Sequence, residues 1–208
     1  RLEARVATAA LRGEATKEEA DAFRRNMMLE TARMACDDGL VMTLHPAVRR
    51  DHDPHNLAKY GLDVGSDIPV KVEFTEALRP LLGRYGNHPN LNLVVFTLDE
   101  TVYSRELAPL AGFYRSLYVG APWWFIDSPE AIRRFRSAIT DTAGFYRTSG
   151  FIDDTRAFLS IPTRHDMSRR LDAGYLAHLV AEERLTVDEA IETAHDLVVT
   201  QPRKVFKL

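Results

Sequence analysis

Phe151-Ile152-Asp153-Asp154-Thr155-Arg156-Ala157-Phe158-Leu159-Ser160 is the stretch on which the fold turns. It reads as the end of a short apolar strand, around residues 149–153, that runs into two acids and then an arginine. Side chains alternate along extended backbone, so the D-x-R spacing puts Asp154 and Arg156 on one side. A carboxylate beside a guanidinium at the mouth of a strand suits a general base with a cationic partner. A strand-end salt bridge or a helix cap is the simpler reading of the same residues, and the rest of the chain weighs between them.

Three earlier apolar runs have the character of buried strands: residues 40–44, 91–97 and 117–119. Helices alternate with them. Thr16-Lys17-Glu18-Glu19 forms a capping box for a helix to about Asp38, with Gly39 as its stop. Thr75 is the expected cap of a helix to Tyr85, and a further helix is expected over 104–116. Ser128-Pro129-Glu130 opens another. Thr163 to Asp166 and Thr186 to Glu189 are the expected caps of the last two helices. Residues 46–66 carry His, Asp, Pro and Gly without a helical period, which predicts a functional loop. Strand, loop and helix repeated four times predict an α/β fold, a parallel sheet with helices packed outside, in one domain over residues 1–208. Sites in such sheets lie at the carboxyl ends of the strands. His45, Thr97 to Glu100, Trp123-Trp124 and Asp154 with Arg156 all fall there.

The composition is that of a globular domain, with 208 residues, 45% hydrophobic and 27% charged. A net charge of -3 gives no reason to expect nucleic acid or an anionic membrane as a partner. Cys36 is the one cysteine, so no internal disulfide forms, and a reducing cytoplasm is the expected setting. No apolar run reaches membrane-spanning length. The chain opens at Arg1 without an initiator Met, which suggests that a segment precedes it.

Among the candidate site residues, His45 ends the first strand and could bind a metal or a substrate oxygen, or be a hydrogen-bonded structural histidine. Arg49 and Arg50 suit either a solvated pair or bidentate capture of a carboxylate. Trp123 and Trp124 are adjacent, so one can belong to the core while the other walls a pocket. His165, beside a helix start, reads as a cap or as a support behind the site.

These stretches resemble the uronate isomerases, aldose-ketose isomerases among the amidohydrolase-like (β/α)8 barrels. The resemblance rests on Met42-Thr43-Leu44-His45 with Arg50, on Gly120-Ala121-Pro122-Trp123-Trp124-Phe125, on Asp154-Thr155-Arg156-Ala157-Phe158-Leu159-Ser160, on Thr163-Arg164-His165-Asp166 with Arg169-Arg170, and on Gln201-Pro202-Arg203-Lys204-Val205-Phe206. It covers about residues 40–208. It implies that the chain supplies the last four βα units of a (β/α)8 barrel, and that it interconverts D-glucuronate with D-fructuronate and D-galacturonate with D-tagaturonate through an enediol. It further implies Asp154 as metal ligand and proton-relaying base, and Arg156 as the group moving a proton between the C1 oxygen and the C2 hydroxyl. His45 and Arg50 would hold the hexuronate, and Trp123 and Trp124 would shape its pocket. The implied cofactor is a divalent metal, zinc in the first instance; whether this chain alone retains it is open. The family's first strand carries an H-x-H metal motif, and this sequence has none. A whole barrel needs roughly 250 residues. The expectation is therefore a carboxyl-terminal portion whose partner is the missing amino-terminal half. A non-catalytic half-barrel that binds a partner, and a metal-dependent hydrolase on the same barrel, are the alternatives. The preferred uronate and the formation of a homo-oligomer stay open.

Overall fold

The computed structural model describes residues 2–155 and 157–208; Arg156 lies outside the described residues. Helix α1 (Leu2–Leu11), which the sequence reading did not anticipate, precedes α2 (Lys17–Asp38). The capping box forms as the spacing predicts: the Thr16 hydroxyl accepts the Glu19 amide at 3.2 Å and the Glu19 carboxylate accepts the Thr16 amide at 3.0 Å. Gly39 ends the helix in the left-handed region at φ 70°. Then come β1 (Val41–Leu44), β2 (Val48–Arg49), α3 (Pro54–Tyr60), β3 (Ile68–Pro69), α4 (Arg79–Tyr85) and β4 (Asn92–Val95). A 3-10 turn and a π turn lead into α5 (Ala108–Phe113), followed by β5 (Leu117–Val119), α6 (Pro129–Ala143), α7 (Ile161–Ala181), α8 (Val187–Val198) and α9 (Thr200–Phe206).

The sheet is parallel, in the order β1-β4-β5, with Val41 opposite Asn92 and Leu93 opposite Leu117. The fold is thus α/β with helices outside the sheet. Met42, Leu93, Val95, Leu117 and Val119 face the helical layer and are buried with Leu81, Leu107, Phe135 and Ile139. Alternation turns Val94 and Tyr118 to the other face. There Val205 of α9 covers them. Asn92 fixes α9 in place, its side-chain amide donating to the Val205 carbonyl at 2.8 Å. Lys207 donates to the Gly39 and Asn90 carbonyls, both at 2.6 Å, and so closes the amino ends of β1 and β4. The face of the sheet turned away from the helical layer is covered at that end by α9.

Three local expectations are corrected. The fourth strand at 149–153 does not form; a single parallel bridge joins Thr148 to Val119. The Ser149 hydroxyl accepts the Ala121 amide at 3.1 Å, taking the donor that a continuing ladder needs. Gly150 then turns the backbone away at φ +78°, and a Cβ there would lie 2.5 Å from Pro202 Cγ. Thr75 does not cap a helix: its hydroxyl goes to Glu106 at 3.2 Å, and α4 starts only at Arg79. Helix α7 begins at Ile161, ahead of Thr163, because Pro162 presets the first turn. The loop over 46–66 is also more ordered than its composition suggested. It holds α3 and pairs β2 with β3 antiparallel.

Arg136 locks the last segment to the helical layer. Its guanidinium donates to both Asp172 carboxylate oxygens at 2.6 and 2.7 Å and to the Thr148 hydroxyl at 3.3 Å. Both charged side chains are buried, at 6% and 9% exposure. Arg136→Met therefore strands a buried carboxylate, and urea unfolding should show a loss of about 3–5 kcal/mol. Adding Asp172→Leu should recover most of it.

Candidate active site

The carboxyl ends of the three strands meet in a row of rings. His45, one residue past β1, stacks on Phe96, one residue past β4, with centroids 4.3 Å apart. Its other neighbour is Trp123, beyond β5, edge-on at 5.0 Å. Gly120 makes the row possible, because a Cβ there would stand 2.3 Å from the Phe96 ring. Trp123 leads to Trp124 at 5.5 Å, and Trp124 stacks on Phe125 at 5.0 Å. The Arg50 guanidinium lies over Trp124, 5.2 Å from the ring centroid. Arg50 also pairs with Asp63 at 3.0 Å and Asp67 at 3.5 Å, which draws the 50–67 loop over the same place.

A cleft of about 630 Å³ opens between these elements. Trp123, Trp124, Asp63, Asp67, Asp127, Asp153, Asp154 and Arg164 line it. The two adjacent acids have separate duties. Asp153 is buried, and accepts from Arg164 and from the Thr155 hydroxyl. Asp154 is exposed, in the left-handed region at φ 50°, and has no hydrogen bond or ion pair among the described residues. Its carboxylate acts on His45: partial burial pushes the imidazole below its ordinary pKa, and the negative charge of Asp154 opposes that shift. His45 is thus biased toward the neutral ring, with one nitrogen to donate and one to accept.

Of the expected site residues, Trp123, Trp124 and Asp154 line the cleft, while His45 and Arg50 do not and join it through their contacts with Trp123 and Trp124. Arg156 lies outside the described residues. Thr97 to Glu100, expected on the same rim, do other work. Thr97 accepts the Asp99 amide at 3.0 Å, Asp99 accepts the Thr101 and Val72 amides, and Glu100 makes a two-pronged pair with Arg134 at 2.7 and 2.8 Å. His165 packs edge-on against Phe151 at 5.0 Å. Phe96, Asp127 and Arg164 were not singled out from sequence as site residues. Their contacts join residues far apart in the chain, and only the presence of Arg164 in a matching motif hinted at any of them.

An acid, an imidazole biased toward the neutral ring, a guanidinium and two indoles thus lie near the carboxyl ends of the parallel strands of an α/β fold, the end where such folds place their sites. The model of the family described as glucuronate isomerase matches residues 2–206, and the chain belongs to that family. The uronate isomerase of Cutibacterium acnes is 58% identical over 99% of this chain and 43% of its own length. The crystal structure of glucuronate isomerase from Caulobacter crescentus superposes with a TM-score of 0.95 at 52% identity, over 99% of this chain and 43% of that one. That of uronate isomerase from Thermotoga maritima gives 0.86 at 26% identity, over 93% and 42%. The chain thus spans less than half the length of the relatives it matches, and corresponds to their carboxyl-terminal portion. Among the described residues, no helix is long and apolar enough to cross a membrane.

Proposed function

We propose that this chain, as the carboxyl-terminal portion of a single (β/α)8 barrel, supplies one side of the active site of an aldose-ketose isomerase acting on hexuronates in the cytoplasm. The observation that carries the reading is Asp154, exposed on the cleft, without a hydrogen bond or ion pair among the described residues, and with its charge felt by His45. Isomerisation removes the proton at C2 of the aldose and returns one at C1, while a hydroxyl proton passes between the two oxygens. Asp154 is the base for the carbon-bound proton. It has an open face toward the cleft, whereas Asp153 is already used. His45 donates to or accepts from a substrate oxygen. Arg50 takes the carboxylate of the sugar acid, exchanging Asp63 for it; one carboxylate replaces another on the same fork. Trp124 walls the pocket and keeps Arg50 flat against it. Arg156 serves the oxygen-to-oxygen proton transfer, the role that its place in the D-x-R motif implies.

A divalent metal bound at this site would stabilise the developing enediolate charge. The described residues do not complete a site for one. No group of three His, Cys, Asp or Glu among them is placed to hold a metal ion. Asp154 and His45 give two donors, and a catalytic zinc takes three protein ligands. The other ligands would have to come from outside this chain, in the amino-terminal half of the barrel.

The test is an assay of the full-length protein containing this chain, with D-glucuronate and with D-galacturonate, following the ketose product. Conversion of at least one is expected. Conversion of neither, by a folded protein supplied with zinc, would overturn the reading.

A further inference from the structure

We propose that Arg164 is a positioning residue for this reaction, tying the turn that carries Asp154 to the turn that carries the pocket tryptophans. The proposal rests on the isomerase reading of the cleft. Arg164 sits in the first turn of α7 and extends its guanidinium between two carboxylates. Its Nε donates to Asp153 and its Nη2 donates to Asp127. Asp127 ends the 3-10 turn Trp124–Ile126, three residues after Trp124. Asp153 immediately precedes Asp154. One planar cation thus joins two sides of the cleft that are otherwise separate loops, and all three residues line that cleft.

The tie governs Asp154 through its backbone. The Thr155 hydroxyl donates back to Asp153, closing a turn round Asp154, whose φ of 50° is a left-handed conformation that a non-glycine residue adopts sparingly. Such a conformation persists where the surroundings over-determine it. Here the surroundings are the Asp153 carboxylate, only 4% exposed, gripped by Arg164 and Thr155. Without Arg164, Asp153 is a buried anion with one weak donor, and the turn has reason to relax. Arg164 directs its Nε and Nη2 to acids of this chain, so the guanidinium is committed to the tie between the two turns. Lysine is a poor stand-in: its ammonium is a compact point charge on a flexible stem, while the planar guanidinium holds Nε toward one acid and Nη2 toward the other in a fixed geometry.

The experiment uses the full-length protein with D-glucuronate, comparing wild type, Arg164→Ala, Arg164→Lys, Asp127→Asn and the Arg164→Ala/Asp127→Asn double variant. A shift of the base by an ångström costs about 10²-fold in rate, so kcat of Arg164→Ala should fall by about that factor. KM should stay within about threefold, because ground-state binding is not what is lost. Arg164→Lys should recover only part of the rate. Ethylguanidinium added to Arg164→Ala should raise its kcat at least about tenfold without affecting wild type, which a defect of folding alone would not show. Asp127→Asn should lower kcat in the same direction, and the double variant should be little worse than Arg164→Ala, since both act through one tie. Three results would each overturn the proposal: kcat of Arg164→Ala within about twofold of wild type; a raised KM at unchanged kcat; or a rate loss that follows the melting temperature and resists ethylguanidinium. Failure of wild type itself to convert the sugar acid would overturn the isomerase reading, and this proposal with it.

Discussion

Asp154→Asn in the full-length protein should lower kcat by at least about 10²–10⁴-fold, the usual worth of a positioned acid-base group. The amide keeps the size and shape of the carboxylate and can still accept a hydrogen bond, but it cannot take a proton from carbon at neutral pH. Stability should hardly change. Asp154 is exposed and has no hydrogen bond or ion pair among the described residues, so no buried contact is broken. The competing reading, a strand-end salt bridge, predicts a stability change of about 0–1 kcal/mol and an undisturbed rate, so the rate tells the two apart. The two are separated by steady-state kinetics and thermal melting on one purified variant. The neighbouring Asp153→Asn should behave differently again. It removes a buried acceptor of Arg164 and Thr155, and should lower the melting temperature as well as the rate.

The second large effect concerns the 208-residue chain by itself. Its turnover of D-glucuronate or D-galacturonate should not rise above the buffer blank. The chain spans 43% of the length of its Cutibacterium acnes relative. Among the described residues, one edge of β1 has no partner strand, and the acids and histidines do not assemble a three-ligand metal group. The chain has a substantial core of its own and a closing helix across the amino ends of the strands, so loss of activity here does not require loss of folding. The check is the same assay on the isolated chain and the full-length protein at matched concentration. Turnover by the isolated chain would show that this side of the site suffices.

Local chemistry was readable from sequence at the two capping boxes, though not at Thr75 or Thr163, where the expected caps do not form. The capping boxes at Thr16 and Thr186 need only a residue three places on, and both form as their spacing predicts. The three parallel strands were visible as apolar runs bounded by turn residues. The fourth was not a strand, because one serine hydroxyl and one glycine at positive φ end the ladder after a single bridge, and neither outcome shows in hydrophobicity. The same limit applies to the cleft. His45, Trp123 and Trp124 could be named because each lies just beyond a strand, and Asp154 because of its acidic D-x-R stretch, although the strand expected before it does not form. That His45 lies on Phe96, and that Gly120 is small to admit that ring, depends on register between strands. Arg164 reaches Asp153 across 11 positions and Asp127 across 37, a pairing with no period to betray it. Arg50 was read as a carboxylate binder or one of a solvated pair; that Asp63 and Asp67 both meet its Nη1 emerged only when the 50–67 loop folded back.

The central claim is that Asp154 removes the proton from C2, and the most direct measurement follows that bond alone. D-Glucuronate carrying deuterium at C2 is incubated with full-length wild type and with Asp154→Asn, and NMR counts the label leaving C2, whether it reaches C1 or water. Wild type should release it in step with ketose formation. Asp154→Asn should release it at least about 10²-fold more slowly at saturating substrate. Loss of the C2 label at the wild-type rate in a folded Asp154→Asn protein would contradict the account.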